Sequence, residues 1–323
     1  MKIGILGAGN ISHTMAQTFI QMNSEDFELY AIGSSSLAKS EQFARKYNIT
    51  KAYGSYEELA EDHEIDLIYI ATIHTMHYEH ALLCIHHHHH VLIEKPMTIN
   101  QKQAEVLFKE AKKYNVFISE AMWTRFMPSA QFLKELIAKQ TIGEISSINA
   151  QIGYRLNDVK RMIDLYCAGG ALLDIGIYLL HFAMMVFGND VHSVTGETMK
   201  IDSGVDAIDV LTMKWSGHLA SLQATMMADC DNHGYIYGSL GYLKVDNINN
   251  PHLIEQYDRQ HQLISTYDFS DQITGFEYEI KACRQAIENG QNETAYVPHQ
   301  LTLQVLGYMD DLRKQWDIIY PQD

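Results

Sequence analysis

Three residues of this 323-residue chain have types and positions suited to chemistry: Lys95, which closes the apolar run VLIEK, and Asp174 and Tyr178, four residues apart in GGALLDIGIYLLH. Lys95 stands at the carboxyl end of a strand-like run, the edge at which open α/β sheets bind ligands. An ammonium there is costly unless solvated or employed, and Pro96 biases the Lys95 backbone away from helix, as a turn that presents a side chain requires. Asp174 and Tyr178 fall on one face of a helical segment, with His181 three residues further on the same side. Polar groups on the buried face of so apolar a helix either bond to one another inside a core or line a polar substrate pocket. A phenol with an ordinary pKa of about 10 acts as an acid or base near neutral pH only beside a positive charge, and Lys95 is the ammonium available to supply it.

A second motif lies near the start. Gly7-Ala8-Gly9-Asn10-Ile11-Ser12 follows the apolar run KIGIL and opens a helical segment. Gly7 and Gly9 let the turn tighten and the backbone approach a pyrophosphate, which would rest on the first N–H groups and positive dipole end of the helix at Asn10 and Ile11. Ser12 takes the third position, where packing asks only for a small residue. An ordinary strand–helix turn has the same look, but the place of the motif on the first strand of a βαβ rhythm favours a dinucleotide site. The next run ends in Gly33-Ser34-Ser35-Ser36, with Lys39 nearby and no carboxylate to repel a 2′-phosphate. Ser34, Ser35 and Lys39 would hold that phosphate, which favours NADP while leaving NAD possible; a plain solvated loop is the alternative. Oxidising a secondary alcohol needs a hydride acceptor and a base at the hydroxyl, the combination that such a cofactor, Tyr178 and Lys95 would provide.

These residues need elements to position them. From Lys2 to about Ala121 short apolar runs alternate with amphipathic stretches, the rhythm of a doubly wound α/β unit with a parallel sheet. Residues 1–121 are therefore expected to form a dinucleotide-binding domain and 122–323 a substrate and oligomerisation domain. The second is expected to be α+β with a large, mostly antiparallel open sheet, since HSVTGETMK, DVLTMKW, LASLQATMM and GYIYGSLGYLKV follow one another without helices between them. Two domains suit the length. Such a sheet, backed by helices on one side, leaves its other face to be covered, and LASLQATMM carries apolar residues on both parities, so a homodimer or higher homo-oligomer is expected.

Hydrophobic residues make up 46% and charged residues 20%, as in an ordinary soluble globular protein. The formal charge of -16 disfavours nucleic acid and anionic lipid as partners and favours a small-molecule substrate. Cys84, Cys167, Cys230 and Cys283 show no paired spacing, which suggests a reducing compartment without a disulfide framework or zinc site. MKIGILGAG lacks the features of a signal peptide, so a cytoplasmic location is expected. The most apolar segment, ALLDIGIYLLHFAMMVFG, is interrupted by Asp174 and His181, falls short of a comfortable bilayer span, and reads as a buried helix.

GAGNIS, IATIHTMHYEHA, EKP, EAMWTRFMP, GGALLDIGIYLLH and the closing GFEYEI through QWDIIYP, nearly the whole chain, together resemble the oxidoreductases related to glucose-fructose oxidoreductase and inositol dehydrogenase, the Gfo/Idh/MocA family. The EAMWTRF stretch and the Asp-x3-Tyr spacing are similar to its dihydrodiol dehydrogenase and glucose-fructose oxidoreductase branch; inositol dehydrogenases carry His where this chain has Tyr178. The resemblance implies a Rossmann domain joined to a substrate domain whose open sheet is often used for dimerisation. It also implies NAD(P)-dependent hydride transfer on a sugar, polyol or dihydrodiol-like substrate. By the same resemblance Lys95 sits by the nicotinamide and substrate, Tyr178 serves as acid/base and Asp174 orients the substrate. Thr72, His77, Glu94, Trp123 and Arg125 are carried over as cofactor-side residues, although His77 reads equally as a plain helix-start histidine and Trp123, Arg125 and Phe126 as core. Ile73 departs from the Pro or Asn common at its position.

Two alternatives complete the reading. His86 to His90 form a run of five histidines at the end of a crossover helix, where they suit the helix dipole. Adjacent side chains point in several directions and cannot wrap one metal, so no metal site is expected. A catalytically inactive NAD(P)-binding regulator of the same fold is the alternative function, disfavoured by the presence of Lys95, Asp174 and Tyr178 together.

Overall fold

The computed structural model describes residues 1–323 and divides into two compact units, Met1–Trp123 with Ile273–Leu303 and Thr124–Gln272 with Gln304–Asp323. The first unit contains a six-stranded sheet of β1 (Lys2–Leu6), β2 (Glu28–Gly33), β3 (Lys51–Tyr53), β4 (Leu67–Ile70), β5 (His90–Glu94) and β6 (Ile118–Ala121), in the order β3-β2-β1-β4-β5-β6. Every pair is parallel. Its helices are α1 (Asn10–Met22), α2 (Leu37–Tyr47), α3 (Tyr56–Ala60), α4 (His77–His86) and α5 (Gln101–Tyr114). β4 is buried at every residue and β5 at all but His90, as strands covered on both faces must be. The order reverses between β1 and β4, and the carboxyl ends of those two strands bound the crevice where ligands bind in such sheets.

The second unit begins with α6 (Pro128–Ala138) and contains an eight-stranded sheet. Its strands are β7 (Ile145–Gly153), β8 (Ser193–Lys200), β9 (Asp206–Trp215), β10 (His218–Thr225), β11 (Gly234–Gly238), β12 (Gly241–Val245), β13 (Leu253–Asp258) and β14 (Leu263–Asp268). The order is β14-β13-β12-β11-β7-β10-β9-β8, antiparallel except for β7 with β10. α7 (Ile177–Phe187) packs on the inner face, and the apolar stretch leading through it is 94% buried, so its apolar residues serve this core. β9 shows the expected alternation, with Leu211, Met213 and Trp215 buried and Val210, Thr212 and Lys214 exposed.

The chain leaves the first unit at Trp123, close to the expected boundary, but Ile273–Leu303 returns to it, which an unbroken 122–323 domain does not include. The returning segment carries α8 (Phe276–Glu288), which packs against α1, and the Thr18 and Thr274 hydroxyls lie 2.6 Å apart. α9 (His299–Gln315) follows it.

Candidate active site

The glycine turn after β1 is shaped by close approach. Gly7 has φ +109°, and a Cβ on it would stand 2.9 Å from the carbonyl oxygen of Ala71, so any larger residue meets both strain and backbone. α1 starts at Asn10 with no side chain capping it, which leaves its first N–H groups and its dipole to serve an anion. Ser12 is fully buried and donates its hydroxyl to the Gly7 carbonyl at 2.6 Å, so the third motif position braces the turn. Beside this loop a cavity of about 220 Å3 is lined by Ala8, His13, Lys39, Gln42, Phe43 and Lys46. His13 stacks on Phe43 with ring centroids 4.6 Å apart, and burial with the nearby Lys46 charge holds its imidazole below the usual range. Lys39 and Lys46 supply the positive charge, so a diphosphate at the α1 terminus and a further phosphate near these lysines fit the residues present.

Ser34 requires a correction. It is 4% exposed, and its hydroxyl lies 2.9 Å from both the Ser36 carbonyl and the Ser40 hydroxyl while accepting the Ser36 N–H at 3.3 Å. That hydroxyl closes its own turn and is not presented to a phosphate. Ser35 and Lys39 are exposed.

At the end of β5 the turn that carries Lys95 is pinned from several sides. Glu94 accepts the Lys95 N–H at 3.1 Å through one carboxylate oxygen and the Tyr69 hydroxyl through the other. Glu120, on β6, accepts the Met97 N–H at 3.0 Å and the Thr302 hydroxyl at 2.9 Å. His77, fully buried, lies 2.9 Å from the Pro96 carbonyl through Nδ1 and 3.1 Å from the Thr72 carbonyl through Nε2. Burial pushes the His77 pKa down to about 3, outweighing two acceptors that favour the charged ring. His77 and Glu94 therefore hold the turn. The Thr72 hydroxyl lies 3.0 Å from His80 Nδ1. Near Glu94, Glu279 of α8 is fully buried with neither carboxylate oxygen hydrogen-bonded, and burial followed by the Glu94 and Glu277 charges pushes its pKa well up.

In the second unit Asp174 lies in a single π-helical turn, Leu172–Gly176, that leads into α7, and Tyr178 is the second residue of α7. Such π turns are uncommon and recur at functional sites. Both residues are 7% exposed. Asp174 Oδ1 receives Arg161 Nη1 at 3.2 Å from the short turn Lys160–Ile163. Arg125 sends Nη1 to the His181 carbonyl at 3.3 Å, within 3.5 Å of His181 Nδ1, so the buried His181 belongs to the support of α7. Trp123, in the first unit, stacks on Phe276 at 4.4 Å and 5°. Trp123 and Arg125 thus have packing and hydrogen-bonding partners within their own units, as aromatic and guanidinium groups in buried segments must.

A model of the oxidoreductase family with an NAD-binding Rossmann fold, GFO/IDH/MocA, matches residues 1–122, and its C-terminal domain matches residues 130–244. A trans-1,2-dihydrobenzene-1,2-diol dehydrogenase of Danio rerio is 34% identical over 100% of this chain and 99% of its own length. This chain belongs to the GFO/IDH/MocA oxidoreductase family. A Xenopus tropicalis enzyme of the same name is 34% identical over 99% of each chain. Among solved GFO/IDH/MocA-like folds, KijD10, a 3-ketoreductase from Actinomadura kijaniata in complex with NADP and TDP-benzene, superposes with a TM-score of 0.88 at 23% identity, covering 97% of each chain. An aldose-aldose oxidoreductase from Caulobacter crescentus complexed with glycerol gives 0.88 at 19% identity, covering 98% of this chain and 97% of its own.

Within this family frame the chain is an oxidoreductase with an NAD-binding Rossmann domain. Sequence reasoning missed several supports of the site: Arg161 on Asp174, Lys46 and His13 beside the nucleotide loop, and Glu120 behind Pro96. No periodicity or short motif links Arg161 to Asp174. Lys46 was the exception, since it lies on the same helix as Lys39, seven residues on. The five histidines fan out: His86 to Glu110 at 3.1 Å, His87 to the C-terminal cap of α4, His88 to a left-handed turn position, His89 between the Ala60 and Ile65 carbonyls at 2.8 and 3.0 Å, and His90 to the Phe117 N–H at 2.9 Å. They act as separate structural residues of the helix end and the entry to β5.

Proposed function

We propose that the protein oxidises a secondary alcohol on a sugar, polyol or dihydrodiol-like ring, or reduces the matching carbonyl, using NADP in preference to NAD. The observation that carries this reading is the built setting of Lys95, which stands at the end of β5 in a turn held by Glu94 on its own N–H, His77 on the Pro96 carbonyl and Glu120 on the Met97 N–H. When bound, the nicotinamide supplies the acceptor or donor of hydride. The chain's own residues handle binding, orientation and the proton. Gly7 and the α1 terminus hold the diphosphate, and Ser35, Lys39 and Lys46 the 2′-phosphate. Asp174, fixed by Arg161, orients the substrate hydroxyl, and Tyr178 takes or returns its proton, with the Lys95 ammonium favouring the phenolate that the proton leaves behind. The names of the full-length relatives support a cyclic diol as substrate. A sugar is supported by the names of solved relatives of the same fold.

The enzyme works as a homodimer or higher homo-oligomer. In-register pairing puts Tyr237, Leu219 and Lys214 on one face of the large sheet, with Tyr242 and Tyr257 continuing it on β12 and β13. Val210 on that face is 47% exposed and Leu219 51%, a surface that a second copy would cover. The four free cysteines support a reducing, cytoplasmic location. Nicotinamide absorbance across a panel of aldoses, ketoses, polyols and dihydrodiols with both cofactors tests the reading. Turnover faster with NADP on one of these classes is expected; cofactor binding without turnover on any would favour the inactive regulator.

A further inference from the structure

A buried pair of acids lies under the entry to α7, away from any residue assigned a role above. The pairing of β9 with β8 slips by one residue, Met199 opposing Ile208 and Lys200 opposing Asp206, and this bulge brings Asp206 to the same buried side as Asp209. Both residues are 0% exposed. Asp206 Oδ2 accepts the Leu172 N–H at 2.5 Å. Gly170, at φ +118°, lies against Asp206 Oδ1 so closely that no Cβ has room. Asp209 Oδ1 accepts the Thr198 hydroxyl at 2.7 Å. The oxygens left over, Asp206 Oδ1 and Asp209 Oδ2, are buried and receive no hydrogen bond from any donor, and the two carboxyl groups interact with each other.

Two carboxylate anions offer no hydrogen to one another and two adjacent buried charges repel, so the unsatisfied oxygens are accommodated only if one of the pair retains a proton. Few charges face the pair. Tyr320 approaches from the C-terminal segment and donates to the Gly169 carbonyl at 3.0 Å. Arg313 lies over the Tyr320 ring at 4.6 Å but is ion-paired with Asp310 and Asp323, each at 2.8 Å. Lys200 of β8 sends its ammonium to the Trp316 carbonyl at 2.6 Å. On the π turn the ionisable group is Asp174, paired with Arg161 at 3.2 Å.

We propose that Asp206 and Asp209 share one proton and act as the positioning pair for the active-site helix, fixing the Gly169–Leu172 turn from which Asp174 and Tyr178 project. The charged partner, Asp206, anchors the Leu172 N–H at the start of the helical segment, where negative charge suits the dipole. The protonated partner, Asp209, keeps Asp206 aimed at it. Burial and then the Asp206 charge hold the Asp209 pKa well above the usual carboxylate range. A raised folded pKa gives stability that is complete below the unfolded value and is lost as pH rises toward the folded one. Alkaline pH therefore drives the pair apart and loosens the turn. The catalytic consequence rests on Asp174 and Tyr178 acting on the substrate; the structural one does not.

The test compares the full-length protein with Asp209→Asn, which keeps a donor but cannot ionise, and Asp209→Ala. Three readouts are taken from pH 6 to 9: thermal unfolding, hydrogen exchange at the Leu172 amide, and kcat against cofactor Kd. Asp209→Asn is expected to gain roughly 3 °C in Tm over the native protein per pH unit wherever Asp209 stays protonated. It should also keep Leu172 protected at alkaline pH and hold kcat within about threefold, with a flatter alkaline limb. Asp209→Ala should expose the Leu172 amide and lower kcat about tenfold with Kd unchanged. A Tm difference between native and Asp209→Asn that is flat with pH overturns the shared proton. Native Leu172 protection in Asp209→Ala overturns the positioning role. Absence of turnover in the native protein refutes the proposed function, while Tm and amide exchange still decide this one.

Discussion

Replacing Glu279 with glutamine should stabilise the protein, and increasingly so as pH rises. Glu279 is fully buried on α8 with no hydrogen bond to either carboxylate oxygen. Burial, then the Glu94 and Glu277 charges, push its pKa well above the glutamate range, so the folded chain keeps a proton that the unfolded chain releases above about pH 4.3. Such a group contributes stability that is fully present below the unfolded pKa and lost as pH climbs toward the folded one. Within that window each pH unit costs the native protein about 1.4 kcal/mol relative to a side chain that cannot ionise. The Glu279→Gln variant should therefore gain steadily on the native protein as pH rises through that window, apart from a constant offset for exchanging hydroxyl and amide. Urea unfolding of both proteins at half-unit intervals from about pH 4.5 to 8 measures this, because titrations common to both cancel in the difference. A difference that stays flat with pH would refute the reasoning, since it would mean that Glu279 is ionised in the folded state. Glu94 keeps its bonds to Tyr69 and the Lys95 N–H in the variant, so kcat should change by less than about threefold.

Lys95→Ala and Tyr178→Phe should each lower kcat by about a hundredfold or more while leaving the cofactor Kd within a few-fold of native, as rapid kinetics and fluorescence titration would show; near-native rates in either variant sink the assignment. Ser35→Asp, at an exposed position beside Lys39, should weaken NADP more than NAD and bring the two affinities together or reverse them, and a native preference for NAD would show the serine loop reading wrong. Light scattering behind size exclusion at low micromolar concentration should give a mass of about twice the 36.9 kDa chain or a higher multiple, whereas a single-chain mass would refute assembly through the open sheet face.

By itself the sequence determined the features that local rules govern. The glycine turn at Gly7, the alternation of apolar runs with amphipathic stretches, and the turn at Lys95-Pro96 follow from backbone sterics and side-chain period, and all appear where expected. The buried apolar helix and the mostly antiparallel second sheet were legible for the same reason. Partners of buried polar groups were not. Ser34 turned out to satisfy its own turn, His77 to bridge Thr72 and Pro96, and Arg125 to support His181. Arg161 reached Asp174, a bulge in β9 paired Asp206 with Asp209, and Ile273–Leu303 returned to the first unit. Periodicity reports which face of an element is buried, but it carries no record of which distant segment covers that face. A buried donor or acceptor is obliged only to find some partner, and the path of the chain through space decides which one.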